Sequence, residues 1–218
     1  EVFMVALSVV GLIFFLVITD VGVRYVFKSK NPAPEPTRVI DRHRPADMMF
    51  SSNHLWFRLL PSGEVMVGID ELLGNLMSDA TGLVLPEAGK MMKPGETCVT
   101  IMFGGRPAHY RLPVESVITL TNPKVINDPS SVLVKPYRQW LFTLMPLNAM
   151  DNAVFFQGLR HGDRVDKSMK EDIEHAARFL KTQSGVPSDR FDRVPDDNLL
   201  IDVPENAVSA FERVFLSI

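Results

Sequence analysis

The side chains best suited to chemistry lie in one short segment that follows a pair of glycines. Gly104-Gly105 is typical of a tight turn, and such a turn predicts that Arg106, His109, Tyr110 and Arg111 are exposed. Arginine and tyrosine are enriched at the surfaces through which proteins bind one another. We therefore predict a protein-interaction site at these four residues. A solvated hairpin tip without a partner is the alternative.

Catalytic chemistry is not indicated in this segment. His109 and Tyr110 could form an acid–base pair, but no nucleophile or carboxylate lies close to them in the sequence. The five histidines show neither i,i+4 pairing nor a His-Cys cluster, so no metal site is predicted. Cys98, the only cysteine, alternates with apolar neighbours as a small core residue does. The sequence predicts a chain that is not an enzyme, with no catalytic residue, no cofactor and no metal.

Two other segments carry positive charge in patterns that have two interpretations. Residues 158–164 combine glycines with cations and could contact a phosphate, with a plain connector as the alternative. Arg38, Arg42 and Arg44 could lie against anionic headgroups or a partner protein, with a solvated loop as the alternative.

The composition is that of a chain able to bury a core, with 46% hydrophobic and 22% charged residues among 218. The 23 Lys and Arg residues against 26 Asp and Glu residues give a net charge of -3. Such a chain has no broad cationic field to attract a phosphate backbone. Nucleic acid is therefore not an expected partner, and no small-molecule substrate is expected.

The first part of the chain is apolar over the length of a membrane span. Residues 2–19 contain no charged side chain, and a helix of that length covers about 27 Å, close to the roughly 30 Å of a bilayer's hydrocarbon core. A cleaved signal peptide would need a basic leader and a small-x-small cleavage site, and neither is visible. We predict a single-pass transmembrane helix over residues 1–27 in the inner (cytoplasmic) membrane.

The charges that flank the apolar run indicate its orientation. Arg24, Lys28 and Lys30 follow the run, whereas Glu1 precedes it. By the positive-inside rule, the N-terminus is outside and the C-terminal domain is cytoplasmic. Prolines at alternate positions then predict an extended linker within residues 28–50.

Short apolar runs separated by turn residues predict a mainly β domain over residues 51–147. The predicted strands are residues 55–60, 64–69, 83–85, 98–103, 114–120 and 140–144, with one short helix at 70–76. Many short strands of this kind form a sandwich or barrel. The candidate core residues are Val65, Val67, Val84, Val99, Ile101, Val117 and Leu141.

The order of motifs in this region resembles the H protein of the glycine cleavage system over about residues 51–146. The shared motifs are His54-Leu55-Trp56, Val67-Gly68-Ile69, Leu85-Pro86-Glu87-Ala88-Gly89, Pro94-Gly95-Glu96, Pro113-Val114, Asn122, Ile126-Asn127-Asp128-Pro129 and Trp140-Leu141-Phe142. The resemblance implies a lipoyl-carrier fold, the barrel-sandwich hybrid.

The resemblance also implies a site that this chain does not keep. In that family a lysine on a tight turn between two strands is acylated by lipoate. The corresponding position here is Gly105, or Arg106 if the turn shifts by one residue. Glycine has no side chain and the arginine guanidinium stays protonated, so neither can form the amide. Lys90, Lys93 and Lys124 map to other turns.

The last part of the chain, residues 148–218, is predicted to be a helical extension. Apolar residues recur on one face from Met169 to Leu180, and again after Pro204, where Phe211 and Phe215 are included. These faces are expected to pack on the β domain, with another subunit as the alternative. Phe211 and Phe215 complete the set of candidate interaction residues.

The predicted transmembrane helix, the carrier fold and the missing lysine together predict a binding function. We expect a non-catalytic, membrane-anchored accessory subunit that contacts the lipid bilayer and other subunits of an integral-membrane complex, with an electron-transfer or photosynthetic complex as a candidate. The alternatives are a group carrier for a cytoplasmic enzyme complex with a non-standard attachment site, and a lipid- or phosphate-sensing adaptor.

Overall fold

The computed structural model describes residues 40–77, 79–162, 164–185, 187 and 199–217. The predicted transmembrane helix at 1–27 and the predicted linker up to residue 39 lie outside the described residues. Within the described ranges, no helix combines the length and the apolar character that a membrane crossing requires.

The described residues contain nine strands in two antiparallel sheets. The strands are β1 (Met49–Phe50), β2 (Leu55–Leu59), β3 (Val65–Ile69), β4 (Gly82–Val84), β5 (Met91–Met92), β6 (Thr97–Phe103), β7 (Arg106–Arg111), β8 (Ser116–Thr121) and β9 (Phe142–Pro146). The six-stranded sheet has the order β1-β2-β3-β9-β8-β5, and the three-stranded sheet has the order β4-β6-β7. The prediction of a mainly β domain is confirmed.

Helices connect several of the strands and make up most of the described C-terminal part of the chain. They are α1 (Leu72–Leu76), α2 (Pro123–Asn127), α3 (Ser131–Val134), α4 (Ala149–Gln157), α5 (Arg164–Gln183), α6 (Leu199–Asp202) and α7 (Glu205–Phe211), and α7 continues into a π-helical turn, Glu212–Leu216. The predicted helix at 70–76 is therefore present in shortened form. The predicted amphipathic helix around Met169 and Leu180 is α5.

The core lies between the two sheets because successive side chains of each strand alternate between the two faces of its sheet. Val65, Val67, Val99, Ile101 and Leu141 are fully buried, as predicted.

The alternation also explains why two of the predicted core residues are not fully buried. Val84 is 62% exposed because its neighbour Leu83 is the residue of β4 that faces the core. Val117 is only half-buried, since Ser116 and Ile118 are the buried residues of that part of β8. The prediction for Val84 is therefore wrong, and the prediction for Val117 is met only in part.

A buried pair of polar side chains fixes the start of α1. His54 Nδ1 lies 2.8 Å from Asp70 Oδ2, and both side chains are buried. The other carboxylate oxygen, Asp70 Oδ1, accepts a hydrogen bond from the Leu72 backbone N–H at 2.8 Å, which is one of the donors that a helix start leaves unpaired. His54 has a φ of 64°, a conformation that non-glycine residues rarely adopt.

A second apolar cluster covers the outer face of the large sheet. Trp56 packs there with Met48, Tyr137, Val165 and Met169, and its indole N–H donates to the carbonyl of Pro136 at 3.0 Å. On the neighbouring strand, Gly68 is paired with Trp56. A Cβ at position 68 would lie 2.3 Å from the indole ring, so the glycine makes room for the tryptophan.

Gly68→Ala should destabilise the fold by about 1–3 kcal/mol, because the added methyl group must displace a large buried ring. Chemical denaturation measures this change in the free energy of unfolding. Gly158→Ala is the matched control, since its Cβ would meet backbone only at ordinary contact distance, 3.4 Å. Equal stability of the two variants would contradict the argument.

The described end of the predicted linker is attached to the β domain. The Glu71 carboxylate is buried and pairs with Arg42 at 2.7 Å and with Arg44 at 2.9 Å. Burial raises the pKa of the Glu71 carboxyl, although the two arginines oppose this shift. Asp41 adds an ion pair with Arg138 at 2.8 Å. Arg42 and Arg44 therefore have acidic partners within the domain. The structure does not support the alternative of a fully solvated loop at these two residues.

Candidate functional site

The β6–β7 hairpin contains the turn that corresponds to the family's acylated lysine. Phe103 and Arg106 form the last pair of the ladder, and Gly104 and Gly105 connect them with φ values of 51° and 76°. Two consecutive positive φ values are the signature of the two-residue hairpin turn that favours glycine. The turn is exposed, and it has no amine.

Arg106 points from this turn to the C-terminal helices. Its guanidinium donates hydrogen bonds to the carbonyls of Leu200, Ile201 and Val203, and the bond to Leu200 measures 2.9 Å. Carbonyls at the end of a helix lack partners within the helix and favour a nearby cation. Arg106 also lies 5.7 Å from the centre of the Phe103 ring. This side chain therefore joins the turn to α6.

His109 makes a second connection to the same part of the chain. The Glu212 Oε1 atom accepts a hydrogen bond from the His109 backbone N–H at 2.7 Å and lies 3.0 Å from His109 Nδ1. One carboxylate oxygen of Glu212 thus contacts both the backbone of β7 and the imidazole ring of His109. His109 is half-buried here, and its partner is intramolecular.

Tyr110 is fully buried, so the prediction that it is exposed is wrong. It alternates with His109 and Arg111 along β7 and faces the core, where its backbone carbonyl lies 3.5 Å from Cys98 Sγ. Burial raises the pKa of the Tyr110 hydroxyl well above its ordinary value. An ionisable acid–base role is therefore not supported.

Phe211 and Phe215 are also buried. Their rings stack at 5.0 Å, and His175 and Phe179 of α5 contact Phe215 edge-on at 5.2 and 5.8 Å. The C-terminal helices pack on the β domain, which is the first of the two arrangements expected from the sequence. Both aromatic residues contribute to that packing.

The six predicted interaction residues thus separate into two groups. Five of them, Arg106, His109, Tyr110, Phe211 and Phe215, are partly or fully buried within the chain. Arg111 is exposed, and its Nη1 donates to the carbonyl of Gly95 at 2.8 Å. Sequence reasoning missed Glu212, and the only available signal was its charge, opposite to that of the turn cations.

A cavity of about 380 Å³ lies beside the other cationic segment. It is lined in part by Ser51, Phe155 and Arg160. Arg160 donates to Asp172 at 2.6 Å and to the carbonyl of Ser51 at 3.1 Å, and its backbone pairs with that of Phe50. Its guanidinium is thus already engaged, which favours the connector interpretation over a phosphate site. In the described ranges, no cluster of three His, Cys, Asp or Glu side chains could hold a metal ion.

Arg106→Ala should loosen the C-terminal helices, because three carbonyls lose a charged donor. Charge-assisted hydrogen bonds of this kind suggest a cost of about 1–3 kcal/mol. Hydrogen exchange should become faster in residues 199–217. Arg111→Ala is the matched control, since its bond is to Gly95, and faster exchange at 199–217 in that variant as well would contradict the assignment.

Cys98 should not react with thiol reagents in the folded protein at pH 8. Burial raises the pKa of its thiol far above the ordinary range, and the side chain is only 2% exposed, whereas the thiolate is the reactive form. Titration with a chromogenic disulfide should detect no thiol until denaturant is added. Rapid reaction under native conditions would show that the strand is open to solvent.

The two sheets form the predicted β domain, and its β6–β7 turn, where the carrier position is predicted at Gly105 or Arg106, contains no lysine. The family model for the glycine cleavage H-protein matches residues 48–172, more than half of the chain. The chain belongs to this family, and the resemblance found in the sequence is confirmed. The matched region extends beyond residue 147 into α4 and α5.

Two relatives that are similar in sequence agree with the family match. The glycine cleavage system H protein of Aromatoleum aromaticum is 31% identical over 109 residues, which are 50% of this chain and 85% of the relative. That of an Azoarcus species is 30% identical over 121 residues, 56% of this chain and 95% of the relative. The crystal structure of a Mycobacterium marinum glycine cleavage system H protein covers 50% of this chain and 96% of its own, with 25% identity and a TM-score of 0.43.

Proposed function

We propose that this member of the H-protein family is a non-catalytic accessory subunit that binds another protein. The observation that carries the proposal is the β6–β7 turn, where Gly105 replaces the acyl acceptor and Arg106 is bonded to the C-terminal helices. An arm cannot be attached there. The surface of that region can still bind a partner.

The exposed part of the predicted interaction set is small and well defined. Gly104, Gly105 and Pro107 are exposed at the turn, and Arg111 is exposed at the opposite end of β7, where it donates to the Gly95 carbonyl. A partner with an acidic patch that meets Arg111 fits this surface. The buried members of the set act indirectly. Arg106, for example, holds the turn in place through its hydrogen bonds to the C-terminal helices.

The proposal includes a membrane anchor, for which the support is the sequence alone. Residues 2–19 have no charged side chain, and the basic residues that follow them favour a cytoplasmic domain. On this proposal residues 1–27 cross the inner membrane once, and the partners are subunits of an integral-membrane complex.

A second candidate function is a group carrier for a cytoplasmic enzyme complex that uses a different attachment site. Membership of the H-protein family favours this candidate, because the related proteins named above belong to the glycine cleavage system. It requires an acylated lysine other than the residue at position 105. The adaptor hypothesis has less support, since Arg42, Arg44 and Arg160 are already paired with carboxylates.

Extraction of the full chain from its native membranes in mild detergent should yield a stable complex with at least one other protein. Arg111→Glu should weaken this complex, because charge reversal repels an acidic partner. Arg58→Glu is the matched control at a half-exposed strand position of the other sheet, with its own acidic neighbour Asp47. A monodisperse monomer with no bound protein would overturn the subunit proposal.

The intact mass of the same preparation distinguishes the two candidates. The unmodified mass is expected for a pure binding subunit. The mass gain of one lipoyl amide would instead establish the carrier function.

A further inference from the structure

The turn between β5 and β6 presents a lysine at the opposite end of β6 from the Gly104-Gly105 turn. Pro94 and Gly95 occupy its centre, Gly95 has a φ of 83°, and the Glu96 N–H donates to the Lys93 carbonyl at 3.1 Å. This is the pattern of a type II β-turn. Two backbone bonds to Leu112, each of 2.8 Å, fasten the turn to the chain that leaves β7. Lys93 therefore has a rigid base.

The Lys93 amine is available for chemistry. The residue is exposed, and the nearby Glu96 carboxylate, which attracts its ammonium group, forms its ion pair with Lys90 instead. The carboxylate of Glu96 accepts Lys90 Nζ at 2.8 Å and the Lys93 backbone N–H at 3.2 Å. These hydrogen bonds, with that from Lys90 the stronger, lower the pKa of Glu96 and occupy Lys90.

The other exposed lysines of the described ranges have different settings. Lys124 lies in α2, and Lys135 follows the end of α3. Lys167 and Lys170 lie on α5 with a glutamate one helical turn away. Lys93 is thus distinguished by an unpaired amine on a tight turn between two strands.

An exposed apolar row lies beside this lysine on the outer face of the large sheet. Met91 pairs with Val117, and Val117 pairs with Met145, so that the three residues form one row across β5, β8 and β9. Met91 is 57% exposed and Met145 is 37% exposed, and Leu147, two residues further on, is 46% exposed. We call Met91, Val117, Met145 and Leu147 the methionine strip.

The strip and the lysine lie on the same face of the sheet. Lys93 follows Met91 by two residues, and residues two apart in an extended chain point to the same side, about 7 Å apart. Met92, between them, is buried. A flexible apolar chain attached to Lys93 Nζ can therefore lie along the methionine strip and remove its surface from water.

We propose that Lys93 is an acylation site that takes a medium-chain carboxylic acid of the lipoyl or octanoyl class, and that the methionine strip receives the chain. This inference rests on the carrier candidate. The neutral amine of Lys93 attacks the carbonyl carbon of an acyl adenylate supplied by a ligase. A C–N amide bond forms, the C–O bond to the adenylate phosphate breaks, AMP leaves and the amine proton passes to solvent.

The test uses the full chain isolated from its native membranes, together with the same chain treated with a lipoate–protein ligase, ATP and octanoate. Intact mass and peptide mapping should locate one acyl group on Lys93. Lys93→Arg should abolish the modification, and Lys90→Arg, the matched control three residues away, should retain it. In the octanoylated chain, peroxide should oxidise Met91 and Met145 more slowly than in the unmodified chain, whereas Met102 on the other sheet should react at an unchanged rate.

The outcomes separate the site from the function. An acyl group on another lysine would overturn the assignment of Lys93 and leave the carrier candidate standing. An unmodified chain in both preparations would overturn the assignment and the carrier candidate together. Acylation of Lys93 without protection of Met91 and Met145 would overturn the role of the methionine strip.

Discussion

One guanidinium fixes where α6 and the residues directly after it meet the β domain. Arg106 leaves the β6–β7 turn and bonds the carbonyls of Leu200, Ile201 and Val203. The apolar packing of Phe211 and Phe215 supplies non-directional burial, whereas the planar fork of arginine fixes the direction in which α6 and α7 run. Without that fork the helices would still be apolar on one face, and their register on β7 would depend on shape and on the contact between His109 and Glu212.

The same contact separates this chain from a carrier that uses its β6–β7 turn. An acylated lysine must be free to move, whereas the residue beside Gly105 is here held by three acceptors. The two ends of β6 consequently differ. One end is bonded to the C-terminal helices, and the other ends in a rigid turn with an exposed amine and an apolar row next to it. Of the two ends, only the one with Lys93 therefore presents an amine that could carry a group.

Much of the fold could be predicted from the sequence because local patterns determine it. Period-two alternation located β2, β3, β6 and β9, and the order of turn motifs identified the family. Errors arose where the phase of the alternation decides which face is buried, as for Val84 and Tyr110, since apolar and amphipathic residues can face either way on short strands. The prediction of an exposed cationic and aromatic cluster failed for a related reason. Its partners, Glu212 and the carbonyls of α6, lie about a hundred positions away, and backbone acceptors carry no signature in sequence.

The burial of the chain's only cysteine has a practical consequence. Because the native thiol is buried, a thiol reagent directed at an introduced cysteine would not label Cys98. A cysteine placed at the exposed Pro107 or in place of Lys93 would be the only accessible thiol, so a synthetic arm of chosen length could be attached at either end of β6. The scaffold could thus be made to carry a swinging group from both positions in turn, and the behaviour of the two conjugates compared within one fold.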